Sequence, residues 1–190
     1  FTGRPGHMRR SWGPGWALVG DAGYFKDPLT AHGLTDALRD AELLARGIIA
    51  VIDGADERDA LGCFQTTRDA LSTALFDVTG VIAGHRWTDE EIPSLLLQLN
   101  AAMAEISSRE GDWSAAESAY VRLARLLPDP LEQKTIYEKL GEIYATHAPN
   151  LARAEVAFKE VRKRAPDDKS IILKLVDVYK RMGDVAHALE

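Results

Sequence analysis

Gly111-Asp112-Trp113-Ser114-Ala115-Ala116-Glu117-Ser118-Ala119-Tyr120, closed eight residues later by Pro128, is the stretch on which the fold turns. The same residue types return as Leu140-Gly141, Tyr144, Ala154, Phe158 and Pro166, and again as Leu175, Tyr179, Gly183-Asp184 and Ala188. Alanine precedes its aromatic by four residues in both complete cases (116 to 120, 154 to 158), and the aromatic precedes proline by eight in both (120 to 128, 158 to 166). Each type has a physical task. A small alanine lets two helices approach, the aromatic fills the space against the neighbouring helix, and proline ends the second helix. Gly-Asp turns the chain between helices. Ala154 and Ala188 are 34 residues apart, a period of stacked helical hairpins. Ala116 to Ala154 is 38, so four additional residues are expected, at Asp129–Glu132 and near Ala148–Asn150.

Towards the N-terminus the character changes. Gly3, Pro5, Gly6, Gly13, Pro14 and Gly15 give loop composition. Trp16-Ala17-Leu18-Val19, closed by Gly20, reads as a short buried strand. From Leu34 the period is helical: Leu34, Ala37, Leu38, Ala41, Leu44, Ala45, Ile48 and Ile49 share one face, and Asp36, Arg39, Asp40 and Glu42 the other. Further helices are expected over about 56–79 and 91–109, with a break at His85-Arg86-Trp87-Thr88, where Thr88 and Glu91 form a capping box.

Composition narrows the functional classes. Residues 1–91 hold 9 Lys+Arg against 14 Asp+Glu, and the remainder 14 against 15, so neither part is basic. With no cationic run interleaved with aromatics, a nucleic-acid partner is not expected. The nearest candidate, Lys159, Arg162, Lys163 and Arg164, reads as a solvated helix face before Pro166. No apolar stretch approaches the roughly 20 residues that cross a bilayer. Behind Arg4, Arg9 and Arg10 there is no apolar region of the secretory-signal kind, and a lone cysteine, Cys63, forms no internal disulfide. The expected location is the cytoplasm, with no membrane contact. Because the chain begins with Phe1, the sequence is expected to start inside a longer gene product. Cys63, on an apolar helix face, is expected in the core. His7, His32, His85, His147 and His187 lack metal-ligand spacing, so no metal is expected. Ser107-Ser108 has no neighbouring base, and no catalytic residue is assigned.

Two resemblances follow. The repeating pattern over about 97–190 resembles tetratricopeptide (TPR) repeats. The segment Gly15-Trp16-Ala17-Leu18-Val19-Gly20-Asp21-Ala22-Gly23-Tyr24-Phe25-Lys26-Asp27-Pro28-Leu29-Thr30-Ala31-His32-Gly33-Leu34 resembles the second flavin-binding motif of para-hydroxybenzoate hydroxylase-like, FAD-dependent monooxygenases. That resemblance implies cofactor-binding roles for Gly20, Asp21, Pro28, Gly33 and Leu34. Asp21 would accept a hydrogen bond from a ribityl hydroxyl, Pro28 would lie against the ring, and the backbone at Gly33 and Leu34 would face the ring's O2 and N1 edge. A helix N-terminus suits the negative charge of a reduced flavin. His32, inside the motif, would approach flavin or substrate, or stand simply exposed. The Gly-x-Gly-x-x-Gly turn that binds the ADP pyrophosphate does not appear, so this chain alone is not expected to retain FAD.

The fold class expected is therefore mainly α: a short βα flavin-binding-type fragment (1–105), then an α-helical TPR-like array (106–190), with the helix at 92–109 open to use by both. The function expected is the C-terminal portion of an FAD-dependent oxidoreductase carrying a protein-interaction module. A TPR scaffold with a non-catalytic flavoprotein remnant, and an artificial join of unrelated pieces, fit the same residues. In the TPR resemblance the first helix of each repeat lines the partner groove, which implies contacts from Thr135, Glu138, Glu142, Asp177, Lys180 and Arg181. Glu138 and Glu142 would repel a terminal carboxylate, so the protein or peptide partner expected is basic or of mixed charge.

Overall fold

The computed structural model describes residues 5–188. It is mainly helical, and it divides at Ile92/Pro93 into two compact units.

The first unit begins with two small antiparallel ladders. Strands β1 (His7–Met8) and β4 (Tyr24–Phe25) pair as His7↔Phe25 and Met8↔Tyr24, and β2 (Trp12–Gly13) and β3 (Trp16–Ala17) pair as Trp12↔Ala17 and Gly13↔Trp16. The expected buried strand at 16–19 is thus only the end of a tight hairpin. Pro14-Gly15 turns the chain, with Gly15 at φ +74, and Trp16 stays 46% exposed. Among the described residues no further strand lies alongside to bury the run, so its apolar side chains are shared between the hairpin rim and the adjoining loop. The Trp16 indole folds over Gly13, where a Cβ would stand 2.5 Å from its Nε1.

Helices α1 (Gly33–Ile52) and α2 (Glu57–Ala83) pack together, joined by a turn in which Gly54 has φ +101. Asp56 starts α2 by accepting from the Asp59 N–H at 3.1 Å. The two faces of α1 are placed against expectation. Asp36 and Asp40 are buried, whereas Leu34 (75%), Leu38 (65%) and Ile52 (77%) are exposed. Buried partners explain the inversion. Lys26 pairs with Asp36, and Arg39 reaches Asp36 at 3.1 Å, Asp40 at 2.8 Å and Ser72 of α2 at 2.8 Å. A buried carboxylate with such partners is tolerable, and one without them is not.

Along α2 the inward positions are Leu61, Phe64, Arg68, Ser72, Leu75, Val78 and Thr79, at helical steps. Cys63 lies outside that stripe and is exposed, so it is not a core residue. Arg68 is buried and ties the N-terminal loops down, donating to Ser11 Oγ at 2.6 Å and the Arg9 carbonyl at 2.9 Å. Beyond α2, the Thr88 N–H donates to Glu91 at 2.8 Å, within the expected capping box.

The second unit comprises α3 (Ile92–Glu110, all but its first residue), α4 (Trp113–Leu126), α5 (Pro130–Glu142), α6 (Leu151–Arg164), α7 (Lys169–Met182) and α8 (Val185–Ala188). Its core collects the repeated positions: Ala116, Tyr120, Leu140, Tyr144, Ala154, Phe158, Leu175 and Tyr179. The chain turns the same way between α3 and α4 as between α7 and α8. Gly111 and Gly183 both take φ +76, and the N–H groups of Asp112 and Asp184 both donate to the carbonyl five residues back, at 2.9 Å. That is the 6→1 bond of a Schellman cap. Asp112, Asn150 and Asp184 each then accept from the N–H three residues on.

The middle hairpin differs, and there the four additional residues are absorbed. From Pro128 to Leu140 is twelve residues, against nine from Pro166 to Leu175, and the three extra are taken up as helix, since α5 starts ten residues before Leu140 and α7 six before Leu175. The fourth widens the helix end: Ile143–His147 is a π turn, and Asn150 donates to the carbonyl six residues back, that of Tyr144. A single inserted residue is what a π turn accommodates.

Candidate functional site

A cavity of about 530 Å³ opens in the first unit between the loops at 20–31 and the start of α1. Gly20, Asp21, Pro28, Gly33 and Leu34, residues from three separate points of the sequence, all line it. Local geometry accounts for each. Gly20 sits at φ +60, opening a 3₁₀ turn at Gly20–Ala22. Asp27 caps a second 3₁₀ turn, Pro28–Thr30, by accepting from the Leu29 N–H at 3.1 Å, and Ala31 leaves that turn in the left-handed region. The chain then enters α1 at Gly33.

Two features of the rim are open to a ligand. The Asp21 carboxylate has no partner among the described residues, and His7 Nε2 meets only the Asp21 backbone carbonyl, at 3.0 Å. At the start of α1 no side chain caps the helix, and a Cβ on Gly33 would meet nothing within 4 Å. A carboxylate with no partner among the described residues and the uncapped N-terminus of a helix therefore line the same cavity, one an acceptor and the other a set of donors with the positive end of the helix dipole behind them. His32 precedes the helix, with Nδ1 2.6 Å from the Thr30 carbonyl.

Under the rim lies the charged cluster, which sequence periodicity did not disclose. Lys26, Asp36 and Tyr24 line the cavity. The Lys26 ammonium stands 4.9 Å from the centre of the Tyr24 ring. Burial and, after it, the Asp36 charge push the Tyr24 phenol up, so it stays protonated. Burial also raises the Asp40 carboxyl, against the hydrogen bond and charge of Arg39.

In the second unit, Thr135, Glu138 and Glu142 lie on α5, and Asp177, Lys180 and Arg181 on α7. The two helices are bridged between them. Lys174 Nζ donates to Glu138 and to Glu142, both at 2.7 Å. Burial works against the Lys174 charge, but the two carboxylates hold its pKa above the ordinary value. Glu138 and Glu142 are therefore not bare acids. Lys174 escaped the sequence reading because only the alignment of neighbouring helices brings it between them. Arg181 donates to the Ala145 carbonyl in the π turn at 2.7 Å and stands 3.6 Å from Asp177. Thr135 Oγ1 lies 3.5 Å from the Leu131 carbonyl, and Lys180 is exposed without a partner among the described residues. At the foot of the π turn the His147 ring stacks on Trp113, centroids 3.7 Å apart.

No family model, curated protein or solved structure matches this chain. No described helix is long and apolar enough to cross a membrane.

Proposed function

We propose that the first unit is the ring-binding end of an FAD-dependent, monooxygenase-like oxidoreductase site, and that the second is a TPR-type protein-binding module. The observation that carries the flavin reading is the convergence of Gly20, Asp21, Pro28, Gly33 and Leu34 on one cavity, with the Asp21 carboxylate and the α1 N-terminus both open to it. These groups suit a flavin ring and ribityl chain: an acceptor for hydroxyls, and donors with positive potential for the electron-rich pyrimidine edge. The flavin supplies the redox chemistry, while Asp21 and the Gly33–Leu34 backbone bind and orient it. The adenine end is not provided for, because no Gly-x-Gly-x-x-Gly turn opens a helix.

A second reading takes the repeats as a protein-binding scaffold and the flavin part as a remnant. Titration of riboflavin with the chain, followed by quenching of flavin fluorescence, separates the two. Weak, saturable quenching that Asp21→Ala diminishes supports a flavin site. Absence of quenching at the highest soluble protein concentration supports the remnant.

A further inference from the structure

The outward face of α1 is a continuous apolar seam. Leu34, Leu38, Ala41, Ala45, Ile48 and Ile52 follow one another by four, three, four, three and four residues, the spacing that keeps one stripe turned towards a partner helix. All six are exposed. The helix cannot roll this stripe inward, because Asp36 and Asp40 on the other face are fixed by Lys26 and Arg39. Turning α1 would pull Asp36 away from Lys26 and Arg39 away from Ser72, leaving the Lys26 ammonium buried without its carboxylate.

The seam reads the same in both directions by size: two large residues, two alanines, two large residues. Laid antiparallel about a midpoint at Leu43, two copies of α1 set Leu34 against Ile52, Leu38 against Ile48 and Ala41 against Ala45. Ile49, also exposed, then falls against Ala37. A two-fold interface demands this self-complementarity, with residue i meeting j and j meeting i. The central alanines permit close approach of the backbones. On the flank, Glu42 and Arg46 are paired at 2.5 Å within one helix, so no bare charge enters the contact.

We propose that the chain forms a homodimer in which α1 packs antiparallel on α1 of a second copy. This goes beyond the flavin reading, with which it shares Leu34 and Ala37 at the cavity rim. Burying five Leu and Ile side chains from each copy removes on the order of 800 Å² from water, the low end for protein association, so the dimer is concentration-dependent.

Sedimentation velocity of the full chain over a dilution series tests the proposal. The expected result is a monomer–dimer equilibrium that Leu38→Glu/Ile48→Glu weakens by about a hundredfold or more, with helical circular dichroism unchanged because both side chains are exposed. Orientation is read in a Cys63→Ser background. Mixed Ala41→Cys and Ala45→Cys chains should cross-link to each other faster than either does to itself. A wild type that stays monomeric overturns the proposal, as does a dimer indifferent to the two glutamates or preferential self-linking of Ala41→Cys. Loss of an unrelated partner with no change in self-association would likewise overturn it, assigning the seam to that partner.

Discussion

The Phe158 ring lies so close to Gly141 that a Cβ on the glycine would stand 2.3 Å from a ring carbon. Both residues are buried, one on α5 and the other on α6, and the contact sets how closely the two helices approach. Mid-helix Gly→Ala ordinarily gains up to about 1 kcal/mol. Here overpacking reverses the sign, and Gly141→Ala should cost about 1–3 kcal/mol. Urea unfolding measures it, and Gly141→Ala/Phe158→Leu should recover part of the loss. A stabilised Gly141→Ala would show that the helices separate freely.

Purified chain should not carry FAD. Flavin-ring and ribityl contacts are only part of the cofactor's binding surface, and the pyrophosphate turn is absent. The protein should be colourless, and added FAD should not co-elute on gel filtration. Stoichiometric retention would overturn this.

In a longer parent that binds flavin, Asp21→Ala should lower cofactor affinity by about one to two decades, the worth of one charge-assisted hydrogen bond. Equilibrium dialysis against FAD gives the value. Unchanged affinity would reduce Asp21 to a turn residue.

Partner choice by the repeats should depend on the charge around Lys174. Glu138 and Glu142 both hydrogen-bond to it, leaving one net negative charge on the three residues. Glu138→Lys/Glu142→Lys converts this to three positive charges and should abolish capture of a basic or mixed-charge peptide partner in a pull-down. Lys174→Ala should strengthen that capture while costing no more than about 1 kcal/mol of stability, since the pair is partly exposed. If neither variant alters binding and the helical circular dichroism is intact, the α5–α7 face is not the partner surface.

Acid should loosen the second unit through Asp168. Its carboxyl accepts from Lys134 at 2.8 Å and from Ser170, which lowers its pKa from 3.8 to about 2. A carboxyl depressed in the folded state lends stability above its unfolded pKa and loses it as pH falls through the folded one. The loss should therefore run between about pH 4 and pH 2. Asp168→Asn should flatten the urea-midpoint profile across that window. A profile parallel to wild type would rule this contribution out.

The positions of the helices were legible because their signals are local. The Ala–aromatic–Pro offsets, the Gly-Asp turns and the Thr88–Glu91 cap each lie within a dozen residues. What α1 turns inward was not legible. Asp36 and Asp40 look like a solvated face until Arg39, held by Ser72 more than thirty residues on, and Lys26 from the loop after β4 supply their partners. Leu34 and Leu38 fit the apolar positions of an amphipathic helix, yet they face outward. The 16–19 run misled similarly, since an apolar tetrapeptide becomes a buried strand only if another strand lies beside it. Among the cavity residues, Gly20, Asp21, Pro28, Gly33 and Leu34 were found through the motif, but Lys26 and Tyr24 needed the fold. Lys174 was missed for the same reason: its carboxylates are 32 and 36 residues away.

The π turn at Ile143–His147 bears on how this hairpin tolerates changes of chain length. Each residue added to or removed from an α-helix rotates everything beyond it by about 100°. Deleting one residue from α6 would thus swing Phe158 off Gly141. The wide turn has already taken up one surplus residue without passing rotation on, and it can release it again. Removing exposed Thr146 should let this segment close to ordinary α geometry, with Ala154 and Phe158 still facing inward. The segment is a reservoir of slack, where a frame-preserving codon loss is expected to be nearly silent between helices in which the same loss would be ruinous.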